Sequence, residues 1–435
     1  MSALPAPLRA SLWAGVLLLA VAWCGRRAEA ADLEVKPALS VSEEFDDNVY
    51  ETQNDKKAVF TTLARPGAAV TYRTPFLNLD TNYALEYRHY AGDIHSDEAI
   101  NNLDLKGTAE LLDHFLYLDV NDSLHRAAVN VAQNLAAQSL LVQQSNQNIG
   151  SVSPYLLWRI GEKGTLKTGY RYNDIRYWDG IGIDQREHDA FAQFNREISS
   201  RLSLQAGYSF ARGDNALMNY NRHDLSGGFK YSYADNCSIF GNIGNSWQKF
   251  SGGTGTNNPL GNSSQAFSGG GSTSNLLWDA GITHDFGTVV AALETSVQNA
   301  VDPLTISTRQ LSYTGHLDRQ FERGGVSLLG SYSEYYITQT GKLEQRSVAG
   351  TLTGHYEILP RLSASSSANV YRYSEGTPSG LPYQLTGSAG FNYGFHNEDT
   401  ALSLVYTYLS DRYEIGSTRG AIVGNRLVLE IRTLF

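Results

Sequence analysis

The side chains best suited to chemistry gather in one short stretch. His114, Asp122, Ser123 and His125 combine two imidazoles, a carboxylate and a hydroxyl. A hydrolase uses such groups, but its nucleophile and its base must meet within about 3 Å. Sequence proximity does not supply that contact, because successive residues of a strand point to opposite faces. Polar residues at the rim of a sheet explain the same pattern, so the sequence predicts no catalytic site.

An acidic run at residues 43–48 is a second candidate. Glu43, Glu44, Asp46, Asp47 and Asn48 offer the hard oxygen ligands that Ca²⁺ prefers, but their spacing matches no EF-hand. A solvated loop edge accounts for them as well. The sequence has no Cys and His cluster with zinc-ligand spacing, and no phosphate-binding loop in a strand–turn–helix context. We therefore expect a protein that needs no metal or cofactor.

These residues lie in segments that alternate between apolar and polar side chains. In residues 76–91, Leu77, Leu79 and Tyr83 fall on one side and Asn78 and Asp80 on the other. The pattern recurs at residues 103–111, 202–210, 348–358 and 383–395. Segments of about 10–16 residues exceed the strands of a sandwich, which have about 5–6, and match tilted membrane strands with extensions into water.

Connections between these segments alternate in length. Short ones occur at Asp113-His114, 161–164, Ser199-Ser200, Asp235-Asn236, 322–325, Pro360 and 397–399. Longer ones occupy about 46–57, 92–98, 127–147, 179–184, 212–219, 250–273, 374–382 and 411–420. Outer-membrane barrels have short periplasmic turns and longer external loops. The sequence thus predicts an all-β fold, a transmembrane antiparallel up-and-down β-barrel of about 18–20 strands over residues 31–435, with both termini in the periplasm.

The N-terminal 30 residues have the layout of a secretory signal peptide. Arg9 precedes an apolar run over residues 12–23, and Ala28-Glu29-Ala30 offers a cleavage site. The run is about 12 residues long, too short for a helix that spans a bilayer. Cys24 raises the alternative of a lipoprotein, but Trp23 is too large for the residue before a lipidated cysteine. We expect cleavage after Ala30.

Composition and charge agree with a barrel. The chain has 26 Tyr and 41 Gly, and Tyr suits both strands and the interfacial girdles of barrels. A secreted β-sandwich would share this bias, so the decision rests on strand length and alternation. The net charge of −10 argues against a nucleic-acid partner, which favours basic surfaces.

The last strand carries a candidate assembly signal for the barrel-assembly machinery. Its apolar face holds Leu427, Leu429, Ile431 and Phe435, and its polar face holds Arg426, Glu430 and Arg432. A final strand of period two with a terminal aromatic residue is typical of outer-membrane barrels, although the last strand of a soluble sheet can alternate in the same way. In a barrel this strand pairs with the first one, near Leu33, and its charges line the lumen.

The predicted lumen is polar and wide. Inward positions include Lys106, Glu110, Lys167 and Arg171, and a barrel of this strand number is too wide for side chains to fill. Alternation begins near Leu33, so we expect no N-terminal plug domain and no TonB-dependent transporter. Residues 251–274 predict a mobile external loop. Residues 127–147 have apolar side chains at near-helical spacing, which could form a helix that narrows the lumen or one that rests on the rim.

Two stretches resemble a known family. Residues 37–50, PALSVSEEFDDNVY, and residues 153–161, SPYLLWRIG, running into 169–177, GYRYNDIRY, are similar to outer-membrane β-barrel porins found with exopolysaccharide and exosortase (PEP-CTERM) systems. The resemblance implies an outer-membrane location in a Gram-negative cell and a part in exporting or anchoring extracellular polysaccharide. The motifs are short, and the family offers no catalytic residues to carry over.

Three functions are consistent with the sequence. The first is a water-filled, porin-like channel for hydrophilic solutes or for exopolysaccharide export, in contact with outer-membrane lipids. The second is a structural barrel that anchors extracellular polysaccharide without transport. The third, an outer-membrane hydrolase or acyltransferase, would need a Ser/His pair at one rim. We favour the channel hypothesis and expect the protein to have no enzymatic activity.

Overall fold

In a computed structural model the chain forms one antiparallel sheet that closes into a barrel of 20 strands. Each strand pairs with the next along the chain, and β20 returns to pair with β1. The structure describes residues 31–92, 95–128, 144–178, 182–215, 219–251, 271–301, 307–338, 341–375, 383–395, 399–415 and 418–435. The predicted fold is confirmed, with the larger of the two expected strand numbers.

The strands are long, as the alternating segments indicate. They are β1 Asp32–Asp46, β2 Val59–Arg73, β3 Leu77–Tyr90, β4 Glu98–Leu112, β5 Leu116–Ala128, β6 Gln144–Ile160, β7 Gly164–Tyr177, β8 Gln185–Glu197, β9 Leu202–Asn215, β10 Asn219–Ala234, β11 Cys237–Ser251, β12 Ser272–Asp285, β13 Val289–Val301, β14 Ser307–Phe321, β15 Gly324–Ile337, β16 Leu343–Leu359, β17 Leu362–Glu375, β18 Tyr383–Gly394, β19 Thr400–Ile415 and β20 Thr418–Leu434.

The two ends of the barrel differ. Tight turns and both ends of the sheet, the start of β1 and the finish of β20, lie at one end, which we call the turn end. Most of the longer connections lie at the other, the loop end. Alternation in the sequence is weak near residues 288–306, and the strand β13 lies there, which brings the strand number to 20. The loop predicted over 411–420 is wrong, because β19 runs to Ile415 and β20 begins at Thr418; cross-strand pairing extends the hairpin through residues whose sequence alternates poorly.

Closure is set by the register between the first and last strands. Nine residue pairs join β1 to β20, from Ala38 opposite Leu434 to Asp46 opposite Arg426. The terminal residue is tied down as well, since Phe435 N–H donates to the Pro37 carbonyl at 2.9 Å. The prediction that the last strand meets the first is therefore confirmed.

The polar face of the sheet is the concave, lumen face. Three ion pairs on this face join strands that are not neighbours, which side chains converging on the inside of a curved sheet can do: Arg65–Glu430, Lys167–Asp119 and Arg222–Glu187. The opposite face carries exposed apolar side chains, among them Leu427, Leu429 and Ile431. Strand alternation thus sorts lipid-type from water-type surface, as in membrane barrels.

Aromatic side chains on the outer face mark both ends of the strands. Exposed rings near the turn end include Trp158, Tyr231, Phe286, Phe321, Tyr393 and Phe435. Exposed rings near the loop end include Tyr87, Trp247 and Tyr383. Two such bands are the girdles that barrels place at the two membrane–water interfaces.

Some expectations fall on residues that the structure does not describe. These are the signal peptide at 1–30, most of the 127–147 segment with its candidate helix, and most of the loop over 251–274. Within the described ranges, no helix has the length and apolar character needed to span a membrane.

Candidate functional site: the lumen wall

The lumen face divides into two arcs of different chemistry. The first, which we call the charged arc, is the lumen face of β20 and β1 to β10. The second, the hydroxyl arc, is the lumen face of β11 to β19. Because directly paired residues point to the same side of a sheet, the register assigns each side chain to a face.

At the closing seam, the charged arc joins the last strand to the first. Arg426 on β20 lies with its Nε 3.2 Å from Glu44 Oε1 and its Nη2 3.5 Å from Asp46 Oδ2, both on β1. The prediction that Arg426 faces the lumen is consistent with these contacts. The ion pairs therefore reinforce the one strand pairing that joins the two ends of the chain.

The network continues across the next two strands. Arg65 Nε donates to Glu86 Oε2 at 2.6 Å, and its Nη1 lies 3.9 Å from Glu430 Oε2. Arg88 Nε donates to the second oxygen of Glu86. Glu86 is only 7% exposed and is held between two guanidinium groups. A buried carboxylate is tolerated here because both of its oxygens are paired.

A second cluster couples cations to aromatic rings on β5 to β8. The rings of Tyr117 and Tyr155 stack with centroids 5.2 Å apart. Lys167 Nζ lies 3.6 Å from the Tyr155 centroid and 3.6 Å from Asp119 Oδ2. The Arg171 guanidinium lies 5.3 Å from the centroid of Phe191. These contacts hold the lysine and arginine predicted to point inward against the wall.

Glycines let these rings lie close to the wall. Gly169 is directly opposite both Tyr155 and Phe191, and a Cβ there would lie 2.7 Å from atoms of each. Gly213 is likewise opposite Tyr220, whose ring occupies the place of a Cβ. Glycine thus makes room for a neighbouring ring, which would otherwise project further into the lumen.

The paired side chains of the charged arc reach the loop end on β8 to β10. Arg222 Nε donates to Asp224 Oδ2 at 2.8 Å, and its Nη1 lies 3.3 Å from Glu187 Oε2. Tyr220 donates to Glu187 and accepts from Gln185 Nε2 at 3.0 Å. Tyr117 is the second residue of β5 at the turn end, and Tyr220 is the second residue of β10 at the loop end. The paired residues of the charged arc therefore extend along the lumen wall from the turn end to the loop end.

The aromatic residues of the charged arc are not an open surface for sugars. Phe191 and Tyr220 are 6% and 4% exposed and lie beside arginine side chains. The broadly exposed tyrosines, such as Tyr87 and Tyr170, lie on the outer face. These exposed tyrosines therefore belong to the outer surface of the barrel and do not line the lumen.

The hydroxyl arc is lined by small polar side chains. Hydroxyl pairs cross neighbouring strands at Ser296–Ser312, 2.8 Å, and Ser367–Ser388, 2.7 Å. Over the described positions of β11 to β19, no Lys or Arg falls on the lumen face. The register places the carboxyl groups of six described residues on the lumen face of this arc: Asp279, Asp285, Glu294, Asp318, Glu357 and Asp411. The arc therefore offers hydrogen-bonding groups together with excess negative charge.

The residues considered for hydrolysis are only partly brought together. Ser123 Oγ and His125 Nδ1 form a hydrogen bond of 3.0 Å on the lumen face. Asp122 points to the other face, where Asn148 donates to it at 2.7 Å, and no described carboxylate bonds to His125. His114 lies at the turn end beside Glu110 and Asp113. The pair thus lacks an orienting acid within the described residues.

The acidic run at 43–48 is dispersed by the fold. Glu43 accepts from Thr62 on the outer face, whereas Glu44 and Asp46 bind Arg426 on the lumen face. Asp47 accepts from Asn425 Nδ2 at 2.6 Å. These carboxylates are engaged separately and do not surround one calcium site. A compact acidic and imidazole group does occur at Glu110, Asp113 and His114, but it is mostly exposed.

Comparison with known proteins identifies the fold and no family. No family model matches the chain, and no curated protein matches it. The chain is similar to the FrpB iron transporter from Neisseria meningitidis, with a TM-score of 0.54, 9% identity, and 92% of this chain and 82% of that chain covered. It is similar to the copper transporter OprC, with a TM-score of 0.54, 12% identity, and coverage of 93% and 83%.

A further similar structure is the ferric enterobactin receptor PfeA from Pseudomonas aeruginosa. Its TM-score is 0.51 at 10% identity, with 92% of this chain and 80% of that chain covered. At such low identity the similarity establishes an outer-membrane-type β-barrel and does not transfer a substrate. The exopolysaccharide association finds no support among these neighbours.

Sequence reasoning missed the division of the lumen into two arcs. The sequence contains a signal for this division, because Ser, Thr, Asn and Gln are the commonest residues at the lumen-facing positions of β14 to β18. Assigning them to one arc required the register of every strand pair.

Proposed function

We propose that this protein is an outer-membrane channel through which small hydrophilic solutes pass without a catalysed reaction. The polar lumen face carries the proposal. Every described strand belongs to the wall, and barrels of 16–18 strands already leave an aqueous channel. A barrel of 20 strands has room for water along its axis.

The lumen chemistry favours cations and uncharged solutes. In the charged arc, most carboxylates are paired with arginine or lysine, so much of their field is neutralised nearby. At its described positions, the hydroxyl arc has carboxylates on the lumen face but no Lys or Arg there. Selectivity in wide pores follows the charges that line them. We therefore expect cation preference.

Planar-bilayer recording tests the channel. Purified refolded protein should give discrete conductance steps, and a KCl gradient should give a reversal potential on the cation-selective side. Heat-unfolded protein from the same preparation is the control. A barrel that inserts but conducts no current would contradict the channel and would favour the anchoring role.

Export of an extracellular polysaccharide is the second candidate. The hydroxyl arc supports it, since serine, threonine and amide groups can exchange hydrogen bonds with a neutral sugar chain. A neutral oligosaccharide added at one side should then interrupt the current in a length-dependent manner. Current that is insensitive to oligosaccharide length would argue for simple diffusion.

The orientation and assembly of the barrel belong to the same proposal. Short turns of outer-membrane barrels face the periplasm, so we expect both termini there. Removal of residues 1–30 would precede assembly, and N-terminal sequencing of the membrane-extracted protein tests this. Leu427, Leu429, Ile431 and Phe435 would be the residues read by the assembly machinery.

A further inference from the structure

A cavity of about 280 Å³ lies at the loop end, where the hydroxyl arc meets the charged arc, between β17 and β1. The segment after β1 covers part of it. Asn48 in this segment is 2% exposed, and its Nδ2 donates to the Thr52 carbonyl at 2.8 Å and to the Val423 carbonyl at 3.0 Å. These bonds fix the covering segment to β20. The cavity is therefore bounded by ordered groups on both sides.

One carboxyl oxygen at this cavity lacks a hydrogen-bond partner among the described residues. Asp411 on β19 is 1% exposed, and its Oδ1 has no hydrogen-bond partner within the described structure. A buried carboxylate oxygen loses its hydration and is costly unless a donor replaces the water. A ligand that brings a donor to Asp411 would supply that missing interaction.

The negative charge of the residues that line the cavity favours a positively charged ligand. Asp46, Glu51 and Asp411 contribute three carboxyl groups, and Arg426 contributes a single guanidinium. That guanidinium already contacts Glu44 and Asp46, at 3.2 and 3.5 Å. The lining therefore carries excess negative charge, which attracts cations and disfavours anions.

The spacing of the carboxylates selects an organic cation over a bare metal ion. Among described residues, the only set of three or more acidic, cysteine or imidazole side chains that converges closely enough to hold one metal is Glu110, Asp113 and His114, at the opposite end of the barrel. The cavity also presents uncharged hydrogen-bonding side chains, namely Asn369, Gln384, Thr386 and Thr407. A polar molecule of several atoms could meet these groups and Asp411 together.

We propose that this cavity binds a small organic cation whose ammonium or guanidinium group donates to Asp411. The amide and hydroxyl side chains would hold the uncharged part of the molecule. The inference rests on the proposed function only in requiring a lumen that is open to solutes. It makes the loop-end mouth a binding site that cations meet before they cross.

Isothermal titration calorimetry on the full refolded barrel in detergent tests the site. Propylguanidinium is the probe, and propylurea is its uncharged isostere. We expect one propylguanidinium site per chain and at least tenfold weaker binding by propylurea. Asp411→Asn should weaken propylguanidinium binding at least tenfold. Asp235→Asn, the same change in an exposed turn at the opposite end, should leave it unchanged.

Three results would overturn the proposal. Propylurea could bind as tightly as propylguanidinium, or the Asp411→Asn variant could bind propylguanidinium as tightly as the wild type. Alternatively, a titration with calcium chloride could show binding to the barrel when propylguanidinium shows none. Thr386→Lys provides a second variant. Its ammonium would reach into the cavity and should abolish probe binding in a folded barrel, so retained binding would also count against the site. Conductance is recorded in parallel. Conductance without probe binding refutes the cavity alone, and binding without conductance refutes transport alone.

Discussion

Replacing Gly169 by alanine tests how closely the rings of the charged arc lie against the wall. An added Cβ would lie 2.7 Å from Phe191 Cζ, 2.7 Å from Tyr155 Cβ and 2.8 Å from the Pro154 carbonyl oxygen. Phe191 can turn away, but the other two atoms are fixed by the backbone of β6. Overpacking of this kind costs about 1–3 kcal/mol, and the alanine recovers about 0.4–1 kcal/mol by restricting the unfolded chain. We expect a net loss of about 1–2 kcal/mol.

Urea unfolding of the barrel in lipid vesicles, followed by tryptophan fluorescence, measures this loss. The midpoint should fall while the dependence on urea concentration stays the same, since the surface exposed on unfolding is unchanged. Gly350→Ala is the matched control, because a Cβ at Gly350 on β16 meets nothing within 4 Å. If Gly169→Ala were as stable as the wild type, the close packing of Tyr155 and Phe191 over the glycine would be refuted.

Three other perturbations probe the buried carboxylate of the charged arc, the assembly signal and the lumen charge. Glu86→Gln should lower the free energy of unfolding by about 2 kcal/mol, because two arginines lose a charged partner in a buried site. Asp80→Asn, which removes the charge from an exposed ion pair, should change the free energy of unfolding little, and equal effects of the two variants would contradict the importance of burial. Deleting Phe435 should reduce the heat-modifiable folded barrel recovered from outer membranes, and normal recovery would argue against the terminal signal. Asp279→Asn combined with Glu294→Gln should shift the reversal potential in a KCl gradient toward zero; an unchanged potential would place selectivity elsewhere.

Much of the fold could be predicted from local sequence. Alternation of period two is a property of each strand by itself, so Leu427, Leu429 and Ile431 could be assigned to the face opposite Arg426 before any pairing was known. Turn residues such as Asp235-Asn236 marked strand ends because turn preference is likewise a local property of the sequence. The 411–420 segment was predicted wrongly because cross-strand hydrogen bonds, which no local pattern reports, extended that hairpin.

One candidate site follows from the geometry of a single strand, and the other depends on contacts between distant parts of the chain. Ser123 and His125 meet because they lie two apart on one strand, whereas Asp122, which precedes Ser123, must face away. The cavity at Asp411 needs Asn48, which is far away in the sequence and reaches β20 only because the barrel closes.

The sequence by itself determined that the chain forms long two-faced strands, with an apolar side, a polar side and a terminal aromatic residue. Only the tertiary structure decided the strand number, the closing register and the division of the lumen into a charged and a hydroxyl arc. The physical reason is that side-chain direction repeats along each strand, whereas register and closure are set by the pairing of all 20 strands together.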